Sequence, residues 1–337
     1  MDINTIWYAL IAVLFIGYFF LEGFDFGVGI LLPLVAKDDT ERRIVINTVG
    51  PFWDANEVWL ITAGGAMFAA FPDWYATLFS GFYLPLFLIL VALILRAVGF
   101  EFRGKLDDAR WRRAADTAIV VGSALPAFLW GVAITNLVRG VPIGADMQFQ
   151  GSLLTLLNPF SLLGGLVSIS VFALHGALFL NLRADEVVAE RSRLLALRLW
   201  WPAAVILLAF FVFSYSQTDL FTRSGLVPGT LPVLAMIMFV ASTVLARLRW
   251  NGWAFATTGL TIVLATVVAF EGLYPRVMPS SLGKAFDLTV YNASSSPLTL
   301  RVMLVVAIVF VPIVLAYQGY SYWVFRRRVT RRSIPGS

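Results

Sequence analysis

The chain has 337 residues, of which 59% are hydrophobic and only 13% charged. A soluble domain is about half apolar and a quarter charged, so an ordinary globular enzyme is excluded and an integral membrane protein is expected. The net charge of +5 does not point to nucleic acid, because the basic residues fall between apolar runs, and the absence of cysteine excludes disulfides, iron–sulfur clusters and thiolate-bound metals within the chain.

In chain order, apolar runs of about 20 residues or more predict an all-α membrane protein. Nine transmembrane helices are expected, at 6–35, 49–70, 75–100, 116–138, 160–182, 199–216, 231–248, 253–274 and 302–325. The first run continues to about Val35 with no basic segment before it, too long for the core of a cleavable signal. Nineteen of the 25 lysines and arginines lie in alternate connections and the tail, five lie in the others, and Arg96 lies inside a run. The richer side is cytoplasmic by the positive-inside rule, which puts the N-terminus outside and the C-terminus inside. The outer connections 139–159, 217–229 and 275–300 are the longer ones, yet none is large enough for a soluble domain. Residues 1–337 therefore read as a single polytopic membrane domain. Tryptophans and tyrosines near the ends of the runs, among them Trp7, Tyr8, Trp74, Trp201, Trp253 and Trp323, read as interfacial anchors.

Polar residues inside these runs carry the functional reading. The stretch P-F-W-D-A-N-E-V-W-L-I-T-A-G-G at 51–65 opens the second run with Asp54 and Glu57 three residues apart, and L-E-G-F-D-F-G-V-G in the first run places Glu22 and Asp25 at the same spacing. A helix puts residues three apart on one face. A carboxyl in hydrocarbon costs several kcal/mol unless paired or protonated, so such acids are candidates for function. By the expected topology, Asp25 lies roughly 18 Å and Asp54 about 10 Å from the cytoplasmic ends of their helices at 1.5 Å per residue. Glu22, Asp25, Asp54, Glu57 and Arg96 then share the inner half of three consecutive helices, as a proton relay from the cytoplasm requires. The structural alternatives are a helix-start role for Asp54 and a snorkelling role for Arg96. Gly23, Gly27 and Gly29 suit close helix packing. His175, the only histidine, reads as a packed residue and not a metal ligand. Glu271 is expected to pair with Arg276 or Arg301. No phosphate loop, nucleophile elbow or zinc motif is present.

These residues occur in blocks that resemble subunit II of cytochrome bd-type quinol oxidase. The blocks are G-F-D-F-G-V-G at 23–29, D-T-E-R-R at 39–43, the 51–65 stretch, F-S-G-F-Y at 79–83, R-A-V-G-F-E-F-R at 96–103, L-L-N-P-F at 156–160, Y-P-R-V-M-P-S-S at 274–281 and L-T-L-R-V-M at 298–303. They run from the first span to the last. The resemblance implies two four-helix bundles plus one peripheral helix, in the bacterial cytoplasmic membrane. It implies a heterodimer with a haem-bearing subunit I, alongside small single-helix subunits, membrane lipids and quinone. The complex would oxidise quinol and reduce dioxygen to water, using two b-type haems and one d-type haem or variant held by subunit I. No catalytic residue and no metal would lie in the present chain. The resemblance marks Asp25 and Asp54 as parts of a proton route, with Trp53 as a neighbour near the haem-bearing partner. It accepts an acid at the Glu22 position and does not speak to Glu57. Composition alone leaves a proton-coupled secondary transporter open, but no inverted repeat or matching pair of broken helices supports it. A purely structural scaffold, with the acids as packing elements, is the third class.

Overall fold

The structure, a computed structural model, describes residues 2–220 and 229–334. Twelve helices are present among them: α1 (Ile3–Val35), α2 (Asp39–Val49), α3 (Trp53–Ala70), α4 (Pro72–Gly81), α5 (Tyr83–Phe102), α6 (Ala109–Arg139), α7 (Leu153–Leu156), α8 (Pro159–Arg183), α9 (Glu186–Gln217), α10 (Thr230–Arg247), α11 (Asn251–Leu273) and α12 (Pro297–Val324). Eight of them (α1, α5, α6, α8, α9, α10, α11 and α12) are long and apolar enough to cross a membrane. The expected second crossing is a helix, α3, but falls outside that set. Its 18 residues include Asp54, Asn56 and Glu57, which lower its mean hydropathy.

Several boundaries differ from the apolar runs for identifiable reasons. Helices α6 and α9 begin well before 116 and 199, because Asp108 and Asp185 cap them by accepting from the Arg110 and Val188 backbone N–H groups. A hydropathy window sees only the apolar part of such a helix. The run at 75–100 is two helices, α4 and α5, that meet at Phe82. Pro85 supplies no N–H and its ring crowds the carbonyl four residues back, at Gly81, so the ladder restarts there. Residues 39–49, read as a connection, form the amphipathic helix α2, which buries Ile44, Val45 and Val49.

Helix α1 is the hub, packing against α3, α6, α8 and α11, while α5 lies on α6, α9 on α8, and α10 on α11. Where α1 crosses α8 the two backbones touch: a Cβ on Gly27 would stand 2.0 Å from the Phe172 carbonyl oxygen and 2.8 Å from Gly176 Cα. Gly23 and Gly29 likewise meet Phe172 and Ser123. The glycines around Asp25 thus serve close packing. Helix α12 is peripheral, with Leu300 its only buried residue.

At the end opposite α2, a small antiparallel pair, β1 (Arg276–Met278) and β2 (Leu288–Thr289), folds the long connection over the helices. Trp7 and Tyr8 donate to the carbonyls of Leu300 and Phe270 there, at 2.9 and 2.7 Å. Together with Trp74 they are buried, unlike Trp201, Trp253 and Trp323, which are exposed as interfacial anchors would be. Arg276 pairs with Asp219 at 2.8 Å. Glu271 is exposed and bonds neither Arg276 nor Arg301 among the described residues. Most of the connection 217–229, Arg223 included, lies outside the described residues.

Candidate functional site

The acids on α1 are drawn together with residues from three other helices. Glu22 and Asp25 are fully buried, and so is Arg96 of α5. Arg96 donates through Nη2 to Glu22 Oε2 at 2.7 Å and to Glu57 Oε1 of α3 at 2.6 Å, so one guanidinium joins two carboxyls. Its planar group lies over the Phe26 ring, 4.7 Å from the centroid. The contact suits a weakly hydrated cation held away from water. Snorkelling is therefore not what this arginine does. Glu57, with 19% of its side chain accessible, is the rim of the group.

Asp25 is held differently. Its Oδ2 accepts from Asn56 Nδ2 at 2.7 Å. Asn56 Oδ1 in turn accepts from Gln318 Nε2 at 3.2 Å and Tyr322 Oη at 2.8 Å, both on α12. Gln318 Oε1 accepts from the Trp59 indole at 2.8 Å. That indole lies over Gly17 of α1, where a Cβ would come within 2.2 Å of the ring. Glu22 Oε1, Asp25 Oδ1, Arg96 Nε and Arg96 Nη1 have no hydrogen-bond partner among the described residues. Buried polar atoms seldom lack partners, and four of them are gathered at this one place.

The remaining candidates lie apart. Asp54 is exposed in the first turn of α3, where a carboxylate complements the helix dipole, and bonds no described residue. Helical spacing puts it near Glu57, but Glu57 reaches Arg96 while Asp54 stays exposed. Trp53 is half-buried against Phe100, with centroids 5.7 Å apart. His175 stacks flat on Phe255 at 4.5 Å and 3°, and its Nδ1 lies 2.8 Å from Thr258 Oγ1. Among the described residues no group of three His, Asp or Glu side chains is placed to hold a metal ion.

Sequence reasoning missed Asn56, Gln318 and Tyr322 as partners of the acids. Gln318 and Tyr322 are four residues apart and so share a helix face. They are half-buried on a helix whose other residues near them are mostly exposed. Polar residues at that spacing in a strongly apolar span were the available signal.

A second charged cluster lies at the α2 end. Arg103 joins Asp116 at 2.6 Å and Asp39 at 2.8 Å, and Arg42 also reaches Asp116. The segment after α12 folds back here: Val329 N–H donates to the Arg183 carbonyl at 2.7 Å, and Arg331 pairs with Asp38 at 3.2 Å. The Arg191 side chain, at 2.7 Å, holds the Glu41 carboxyl below its ordinary value. The Glu41 backbone N–H does the same for Asp38.

Comparison with known proteins supplies the context for this geometry. A family model described as Cytochrome bd terminal oxidase subunit II matches residues 3–325. The chain is 46% identical over 331 residues to cytochrome bd ubiquinol oxidase subunit 2 of Bacillus subtilis (strain 168), covering 98% of each. It is 37% identical over 369 residues to cytochrome bd-I ubiquinol oxidase subunit 2 of Escherichia coli (strain K12), covering 98% of this chain and 96% of the relative. Among solved structures it is similar to a chain of the bd oxidase from Geobacillus thermodenitrificans, with a TM-score of 0.78, 19% identity, and coverage of 96% and 99%. That last likeness bears on the fold alone.

Proposed function

The chain belongs to the cytochrome bd terminal oxidase subunit II family, and from that premise we propose that it is the haem-free, proton-handling subunit of a bacterial quinol oxidase. It works in a heterodimer with the haem-bearing subunit I, which oxidises quinol and reduces dioxygen to water. In this reading all nine helices cross the membrane, α3 included, as one domain of two four-helix bundles with α12 peripheral. The N-terminus is outside and the α2 end cytoplasmic.

The observation that carries the proposal is the meeting of Glu22, Asp25, Glu57 and Arg96 inside apolar helices, with unpartnered carboxyl oxygens on Glu22 and Asp25. Asp54, exposed near the cytoplasmic end, is the entry group. Glu57 stands at the rim, and Glu22 and Asp25 carry the proton inward, their charge balanced by Arg96. Trp53 and Phe100 shield this mouth on the side given to the partner. The two unpartnered oxygens favour this reading over a packing role for the acids.

In this reading the family's haems belong to the partner subunit. The chain's one histidine is fully buried, with one face stacked on Phe255 and Nδ1 2.8 Å from Thr258 Oγ1, which supports that assignment.

Asp25→Asn in the purified complex tests the proposal. Assembly and haem content should stay at the parental level while quinol-driven oxygen consumption falls by about tenfold or more, as for a lost proton-transfer group. Full turnover in an assembled Asp25→Asn complex overturns it.

A further inference from the structure

We infer that Trp59, Gln318 and Asn56 form a one-way chain of hydrogen bonds that pins Oδ2 of Asp25 as an acceptor and leaves Oδ1 as the oxygen that exchanges protons. The inference deepens the reading of Asp25 as a proton carrier and rests on it.

Direction follows from chemistry at the far end. An indole N–H only donates, so the Gln318 atom facing Trp59 is its carbonyl oxygen, at 2.8 Å. The other end of that amide is then an NH₂ group, and it faces Asn56 at 3.2 Å. Asn56 must accept with Oδ1, as it also does from the Tyr322 hydroxyl, and its own NH₂ is turned to Asp25 at 2.7 Å. Each amide orientation, ordinarily ambiguous, is thus dictated by the one before it. Donors aligned in this way polarise one another and strengthen the bond at the end of the chain. Neutral amides do not pass a proton along such a chain, since each keeps both its hydrogens. The oxygen held by Asn56 is therefore not the one that titrates. Asp25 Oδ1, buried and without a partner among the described residues, is the exchange atom. The charged and titratable groups around Asp25 are Glu22 on its own helix, Glu57 and Arg96 from α3 and α5, and Tyr322 from α12. Trp59, Gln318 and Asn56 are positioning residues: none is placed to carry the proton. The arrangement explains why a helix with one buried residue turns Gln318 and Tyr322 inward, and why Gly17 lies under the indole.

The test is infrared spectroscopy of the assembled complex, following the protonated carboxyl stretch assigned to Asp25 by its loss in Asp25→Asn. Trp59→Phe keeps an aromatic ring and removes the indole N–H, while Gln318→Leu removes the middle of the chain. In both, the band should move to higher frequency, since the hydrogen bond to the carboxyl weakens. Oxygen consumption should fall by roughly fivefold, the scale of one hydrogen bond's net contribution. Tyr322→Phe, which leaves Gln318 to orient Asn56, should move the band less than Gln318→Leu. An Asp25 band at its parental position in both Trp59→Phe and Gln318→Leu overturns the chain, as does the absence of any band lost in Asp25→Asn. Full turnover in Asp25→Asn overturns the proton-carrier reading instead, so the two failures are distinct.

Discussion

Arg96 and Glu22 form an ion pair at 2.7 Å in which neither side chain is accessible to solvent. Taking one partner away strands a buried charge, which typically costs roughly 3–5 kcal/mol, whereas neutralising both together costs far less. Arg96→Gln should therefore sharply lower the yield and thermal stability of the assembled complex. Adding Glu22→Gln to it should restore part of the loss. Glu57→Gln alone should be milder, because that carboxyl is partly accessible. Thermal unfolding of the three purified complexes checks the order.

The α1–α8 crossing makes a second prediction. Gly27→Ala puts a methyl group into the Phe172 carbonyl and the Gly176 backbone, neither of which is a flexible side-chain end. Overpacking of this kind costs about 1–3 kcal/mol. The control is Gly65→Ala on α3, where nothing lies within 4 Å. That change should be neutral or stabilise by about 0.5–1 kcal/mol, the ordinary helix preference for alanine. Comparable melting shifts in the two variants would refute the close approach.

Asp54 separates stability from transport. Exposed and without a bonded partner among the described residues, it should tolerate Asp54→Asn within about 0.5 kcal/mol. As the entry group it should still lower oxygen consumption, by less than Asp25→Asn does because water can stand in at an exposed site. The measurement is turnover and melting temperature on the same preparation.

His175→Phe preserves the flat stack on Phe255 and removes the contact with Thr258. Stability should drop by about 1 kcal/mol, one hydrogen bond's worth. Haem content per complex should be unchanged. A lost haem band in this variant would place redox chemistry in the wrong subunit.

The folded-back C-terminal segment predicts a pH dependence. Glu41 and Asp38 have carboxyls held below their ordinary values in the folded chain, by Arg191 and by the Glu41 backbone N–H respectively. A depressed carboxyl contributes stability that is present above its unfolded value, near pH 4, and is lost as pH falls through the folded value. Residues 329–334 should then stay docked at neutral pH and loosen below about pH 4. Amide exchange at Val329, bonded to the Arg183 carbonyl, reports it. Unchanged protection at acid pH would show that the docking does not depend on these charges.

The sequence by itself determined the class of protein, the existence of nearly every long helix and the presence of acids within them. Runs of apolar residues and the cost of carboxyls in hydrocarbon are local properties, written in one stretch of chain at a time. The motif blocks carried the family. Only the tertiary structure decided which of the acids meet. Asp54 and Glu57 share a face by spacing, yet only Glu57 reaches Arg96, because a helix face is broad and the packing of α1 against α3 divides it. Gln318 and Tyr322 come to Asn56 from more than 260 residues away in sequence. No periodicity relates segments so distant; the register of α12 against α3 sets that contact. The break at Phe82 and the helical course of residues 39–49 were likewise decided by backbone bonds and packing that hydropathy does not weigh.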